Sequence, residues 1–186
     1  MRRILIVFAV CVFSCGIVGC TAGLKNLDTA WEKDNTEIAN KLGSKFYSGI
    51  TKEQAMSAMV VALQRLDVVV ESADFKIGLL MGVAQAPKPL TFDEFETVIA
   101  VEDARAKSHS ILFSWSHIRD FKSVLNFVFL EASDGIQISI RGRLESDTGS
   151  DFISITQFPP KALEVAYPKI WDEFEKIAFV QDKTLK

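Results

Sequence analysis

The sequence predicts an α+β domain in which an antiparallel β-sheet carries helices packed on one face, a helix-grip-like arrangement. Three observations carry that expectation. A capped amphipathic helix comes early, alternating strands separated by turn signals fill the middle, and an aromatic-rich helix closes the chain. Runs of strands joined by short turns pair antiparallel, and the second sheet face is then either open or covered by an additional helix. Hydrophobic residues make up 48% of the 186 positions and Phe alone contributes 14, enough for a packed core over most of the chain.

Taken in order, Phe46 to Ile50 reads as a short strand. Thr51 followed by Gln54 matches a capping box, in which hydroxyl and amide satisfy the orphan N–H groups of a first helical turn. Ala55, Met59, Ala62 and Leu66 then recur at helical spacing and predict one buried face. Val68-Val69-Val70 is β-branched and predicts a strand. A corner at Ala73-Asp74 leads to a second strand in which Ile77, Leu79, Met81 and Val83 alternate. Gly78 and Gly82 in that strand predict a close neighbouring backbone or a bulge. Pro87 and Pro89 break the chain, and Thr91 opens a helix to about Lys107 with Phe92, Phe95 and Ile99 on one side.

Ile111, Phe113 and Trp115 alternate with serines and predict a strand. "SVLNFVFLEA" and "IQISIRGRLE" flank an Asp-Gly pair, a hairpin signal. Phe152 to Phe158 is expected to add a strand that ends at Pro159-Pro160. The last helix carries Leu163, Tyr167, Ile170, Phe174 and Ile177 on one side, and Pro168 predicts either a kink or a restart.

The amino terminus has a different character. Met1-Arg2-Arg3 is cationic, and Ile4 to Val18, about fifteen residues, carries no charge. That matches a secretory h-region and falls short of the ~20 residues that span a bilayer as a helix. It closes on Ile17-Val18-Gly19-Cys20, which resembles the lipobox of bacterial lipoproteins: an aliphatic residue, a tolerant position, a small residue and a cysteine. The resemblance implies cleavage between Gly19 and Cys20, a diacylglycerol on the Cys20 sulfur, and acylation of the new amino terminus, commonly by palmitate. Two or three chains at ~0.8 kcal/mol per buried methylene hold a protein stably. Thr21 stands where enteric lipoproteins retained at the inner membrane carry aspartate. The resemblance therefore implies the periplasmic face of the outer membrane in a Gram-negative source. The expected division is a leader over 1–19, a lipidated terminus and tether over 20–44 with a helical turn around Trp31 to Leu42, an α+β domain over 45–180 and a tail over 181–186.

The three cysteines, Cys11, Cys15 and Cys20, all fall in the first twenty residues, so the body forms no disulfide and no cysteine-ligated zinc site. Loss of Arg2 and Arg3 with the leader takes the net charge from −3 to −5, the wrong sign for nucleic acid or for a polybasic lipid contact. The body pattern over roughly 47–180 resembles BamC-like small envelope lipoprotein domains. The stretches that carry it are "AMVVALQRLDVVVESADFKIGLLMG", "DGIQISIRGRL" and "YPKIWDEFEKIAF". Such domains imply an assembly role rather than catalysis.

No pattern of residues points to chemistry. His109 and His117 are eight apart with no ligand spacing, so no metal and no cofactor is expected. Ser114, Ser116, His117 and Asp120 contain the letters of a triad without a nucleophile elbow. Asp93, Glu94, Glu96, Glu102 and Asp103 read as a solvated helix face. Arg141 and Arg143 share one strand face and read as edge charges that discourage aggregation. Phe113, Trp115, Phe127, Phe129 and Trp171, with Phe174, form an aromatic set expected at the sheet–helix interface. Where the sheet is left uncovered, that set would line a cleft for peptide or lipid. The expectation is thus a non-enzymatic, membrane-anchored protein that binds an envelope protein partner; the alternative is a lipid or small-molecule carrier.

Overall fold

The computed structural model describes residues 24–109, 113–115, 121–146 and 155–184. In chain order the elements are α1 (24–42), β1 (Ser44–Ser48), α2 (Lys52–Arg65), β2 (Val69–Asp74), β3 (Leu79–Gln85), α3 (Phe92–His109), β4 (Phe121–Ala132), β5 (Gly135–Ser146) and α4 (Pro160–Thr184). The strands form one antiparallel sheet in the order β1-β5-β4-β3-β2. The fold is α+β, with helices packed against this sheet.

Strand alternation divides the sheet into two faces. The inner face takes Leu80 and Ala84 from β3, Leu125, Phe127 and Phe129 from β4, and Ile136, Ile138, Ile140 and Leu144 from β5, all buried. Against it lie α2 and α4, which also contact each other. The capping box that starts α2 is present in full: Gln54 N donates to Thr51 Oγ1 at 3.3 Å and Thr51 N donates to Gln54 Oε1 at 3.0 Å. The buried stripe of α2 runs through Ala55, Met56, Met59, Ala62 and Leu63, and that of α4 through Leu163, Tyr167, Ile170, Trp171 and Phe174. Pro168 neither restarts α4 nor ends it; the helix runs through. The corner expected at Ala73-Asp74 falls at 75–78 instead, because β2 runs on through Asp74, so Ile77 and Gly78 precede β3. Gly78 in that turn and Gly82 in the strand both mark close approaches. A Cβ at Gly82 would stand 2.8 Å from Val68 Cγ1, and at Gly78, where φ is +74°, 2.3 Å from the Phe129 carbonyl oxygen.

The structure corrects four further expectations. Most of the stretch read as a tether, residues 24–42 of 20–44, is the helix α1, with Leu27 and Trp31 wholly buried. Leu27, Trp31, Asn35 and Ala39 recur every fourth residue and make one inward stripe, which the charged residues between them obscure. Asn35 Nδ2 donates to the Phe158 carbonyl at 2.9 Å, and Leu42 O accepts from Trp171 Nε1 at 2.7 Å, so both halves of α1 are tied to the domain. Phe113 to Trp115 is not a strand; the rest of that expected strand lies outside the described residues. Residues 155–158 are likewise irregular, although Leu144 N donates to Thr156 O at 2.8 Å. Finally, β5 is an interior strand between β1 and β4, so Arg141 and Arg143 are not edge charges.

Candidate binding surface

The outer sheet face carries, row by row across the strands, Val69–Val83–Val124–Arg143, then Ser72–Met81–Asn126–Arg141, then Asp74–Leu79–Val128–Ser139–Ser44, then Leu130–Gln137–Phe46. Strand β3, and β4 apart from Asn126, are therefore apolar outside as well as inside, whereas β2 contributes Val69 beside Ser72 and Asp74. Val124 is buried, but Leu79 is 44% exposed, Leu130 56% and Val69 69%, and across β5 Phe46 is 46% exposed. Phe75 and Ile77, in the β2–β3 turn, continue this surface at one end. The turn is shaped by Asp74 Oδ1, which accepts from Lys76 N at 2.9 Å and Ile77 N at 3.1 Å. A contiguous apolar patch of this kind is characteristic of an interaction surface, whereas scattered apolar side chains are ordinary.

The polar border of the patch lies on β5. Arg141 reaches Asn40 Oδ1 at 3.2 Å, and Arg143 bonds Glu145 on its own strand. The β2 edge is poorly suited to strand addition: a bulge interrupts its register between Val70 and Ser72, and Glu71 projects there. Docking on the face, rather than extension of the edge, fits this geometry.

The aromatic residues expected to line a cleft are packed instead. Phe113 and Trp115 join Trp31 and Phe95 in one cluster, with Trp31 and Phe113 edge to face at 5.8 Å and Phe113 and Trp115 at 4.9 Å. Trp171 and Phe174 join Tyr47 in a second. Phe127 and Phe129 lie buried on the inner face. Aromatic side chains bury so much area that they are drawn to the core first, and of this set Trp171 also lines a groove of about 320 Å³ beside Leu42, Lys45 and Pro168. Leu79, Met81, Val83, Val128 and Leu130 were not singled out as a site by sequence reasoning. The signal was present: both parities of β3 and β4 are apolar, which reads equally as a strand buried on both sides.

The titratable groups that the sequence raised have structural partners. Glu94 accepts from Thr91 N at 2.7 Å, closing a second capping box, and pairs with Lys169 at 2.6 Å. Burial raises the Glu94 carboxyl, but the Lys169 and Thr91 bonds outweigh it and hold it below its ordinary value. Asp103 bonds Lys107 and Trp115 Nε1. Glu102, buried in α3, accepts from Lys161 N at 3.1 Å in the first turn of α4, a turn with no acidic residue of its own. Glu175 is raised by burial yet held low overall by bonds of 2.8 Å from both Lys45 and Tyr47. The Tyr47 hydroxyl is pushed far up by burial and by Glu175.

A groove of about 410 Å³ between α1, α3 and the start of α4 is lined by the ion pairs Arg105–Asp34 and Lys161–Glu164, among others. One of about 320 Å³ runs past Pro168 and the Lys45–Glu175 pair. Among the described residues no group of three or more His, Cys, Asp or Glu is arranged to hold a metal ion, and no helix is long and apolar enough to cross a membrane. Gly19, Cys20, Ser116, His117 and Asp120 lie outside the described residues. No protein family matches the chain, and no curated protein is significantly similar to it.

Proposed function

We propose that this chain is a lipid-anchored protein of the bacterial cell envelope, held to a membrane through Cys20, whose domain binds another envelope protein without catalysing a reaction. The anchor reading rests on the lipobox-like Ile17-Val18-Gly19-Cys20 behind an uncharged run of h-region length. The observation that carries the binding role is the open outer face of the sheet. Leu79, Met81, Val83, Val128 and Leu130 form a fixed apolar surface on the paired strands β3 and β4, with Arg141 and Arg143 along its polar side. A rigid sheet presents such a surface without paying to order it, which favours a protein ligand with an apolar stripe and acidic neighbours. The carrier alternative called for an aromatic pocket; Phe113 and Trp115 pack with Trp31, Trp171 and Phe174 pack with Tyr47, and Phe127 and Phe129 are buried on the inner face, an arrangement that favours the binding reading.

Two measurements test this reading. Cys20→Ala is expected to release the protein from membranes or to leave the leader attached; normal processing with unchanged membrane fractionation removes the anchor. A photo-crosslinking residue at Leu130 is expected to yield one discrete adduct in living cells, whereas the same residue at Glu37, on α1, gives none. Equal labelling from both positions removes the face as the binding site.

A further inference from the structure

The docking of α1 has a consequence for how the molecule stands on its membrane, provided the lipid anchor at Cys20 is accepted. Helix α1 is already regular at Leu24 and is buried from Leu27 onward. From the Cys20 Cα to that of Leu24 the chain reaches at most about 14 Å, even fully extended. The long spacer that the polar composition of residues 21–44 suggests does not exist.

The start of α1 is fixed at one end of the sheet. Asp28 accepts from Thr156 N at 2.7 Å and from Gln157 N at 2.9 Å, and Thr156 O in turn accepts from Leu144 N near the end of β5. The β4–β5 hairpin and the β2–β3 turn lie at the opposite end: Gly135 pairs with Ser48, and Gly78 O accepts from Phe129 N. From Gly135 to Leu144, β5 spans about 30 Å at 3.3–3.4 Å per residue.

We infer that the domain is held end-on against the bilayer, with the Lys25–Asp28 turn of α1 and the Thr156–Gln157 segment at the headgroups and the Phe75–Ile77 turn pointing away. The proximal end offers Lys25, Asn26 and Thr29, polar side chains suited to headgroup contact without insertion. At the far end, acidic groups outnumber basic ones: apolar Phe75, Ile77 and Leu130 stand among Glu71, Asp74, Glu131 and Asp134, beside the cations Lys76 and Lys52, and Lys52 is paired to Glu131. Insertion into an anionic interface is favoured instead by net cationic flanks. The open sheet face then rises from the membrane as a wall, accessible to a partner in the aqueous space or to the exposed part of a membrane protein.

The mature body has no cysteine other than Cys20, so single labels are straightforward. The acylated full chain, with a fluorophore at Lys25→Cys or at Lys76→Cys, is reconstituted into phosphatidylethanolamine/phosphatidylglycerol vesicles that carry a headgroup nitroxide quencher. Quenching is expected to be several-fold stronger at position 25 than at 76. Insertion of a Gly/Ser spacer of about twelve residues after Gly23 is expected to erase the difference while the protein stays vesicle-bound. Equal quenching at the two positions without the spacer, in protein whose intact mass shows an acylated Cys20, overturns the end-on arrangement and leaves the anchor standing. A bare Cys20 in that mass overturns both, so the two failures are distinct.

Discussion

The two faces of one sheet differ more than any two elements of this molecule. On β4, Phe127 and Phe129 point inward and are buried, while Val128 and Leu130, their chain neighbours, point outward. Composition along the strand barely changes; the partners do. Inside, α2 and α4 complete the packing. Outside, Val69, Leu79 and Leu130 stay exposed to solvent. The inner face therefore supplies stability, and the outer face holds apolar area that the fold itself does not use.

The sharpest way to break this contrast is to truncate adjacent residues on opposite faces. Phe129→Ala removes a wholly packed ring and is expected to cost about 3–5 kcal/mol in urea unfolding. Leu130→Ala, one residue later, is expected to change stability by no more than about 0.5 kcal/mol. Equal losses would mean that the outer face is covered as tightly as the inner one.

Much of this contrast was legible in the sequence and part of it was not. The capping box at Thr51–Gln54, the Asp-Gly hairpin and the closing helix are local signals, and each is found where the pattern put it. The direction of β3 was less legible. Its larger side chains, Leu79, Met81 and Val83, alternate convincingly, yet they face out, because Gly82 must sit under Val68 and Leu63 and that fixes the opposite parity. Register is decided by a neighbour distant in sequence, which no single strand reveals. Helix α1 was legible only as a turn around Trp31 to Leu42, for a related reason: its stripe of Leu27, Trp31, Asn35 and Ala39 includes a polar residue whose amide nitrogen finds its acceptors, the Phe158 carbonyl and Gln157 Oε1, far away in sequence.

That helix offers the next test, because it extends the covered side of the molecule. Trp31→Ala is expected to destabilise the whole domain by about 3–5 kcal/mol, through loss of ring contacts with Phe113 and Trp115. Unchanged urea midpoints would return residues 24–42 to the status of a tether and would undo the short reach to the membrane.

A smaller effect separates the charges around the helices from the neutral outer patch. Glu94 and Glu175 titrate below their ordinary value of 4.5 in the folded chain, through Lys169 and Thr91 for the first and Lys45 and Tyr47 for the second. A carboxyl held low in the native state contributes stability that is present above its unfolded value and is lost as pH falls through the folded one. Melting temperature is thus expected to be level from pH 7 to about 5 and to decline below about 4.5. Both carboxylates are about a third exposed, so the contribution of each is modest. Glu175→Gln should lower the melting temperature at pH 7 and flatten the acid decline, and an unchanged slope would assign that decline to other carboxylates.

The smallest effect on stability is the one that bears most on function. Replacing Leu79 and Leu130 together with serine is expected to move the urea midpoint by an amount that corresponds to no more than about 1 kcal/mol, because both side chains already meet water in the folded state. The same double variant, with a crosslinking residue at Met81, one row beyond Leu79 on the same face, is expected to lose most of its adduct in cells. An area that contributes little to folding and much to capture is what a binding face requires. A variant that unfolds instead would show that the patch belongs to the core, and one that folds and still crosslinks fully would move the partner to another surface of the domain.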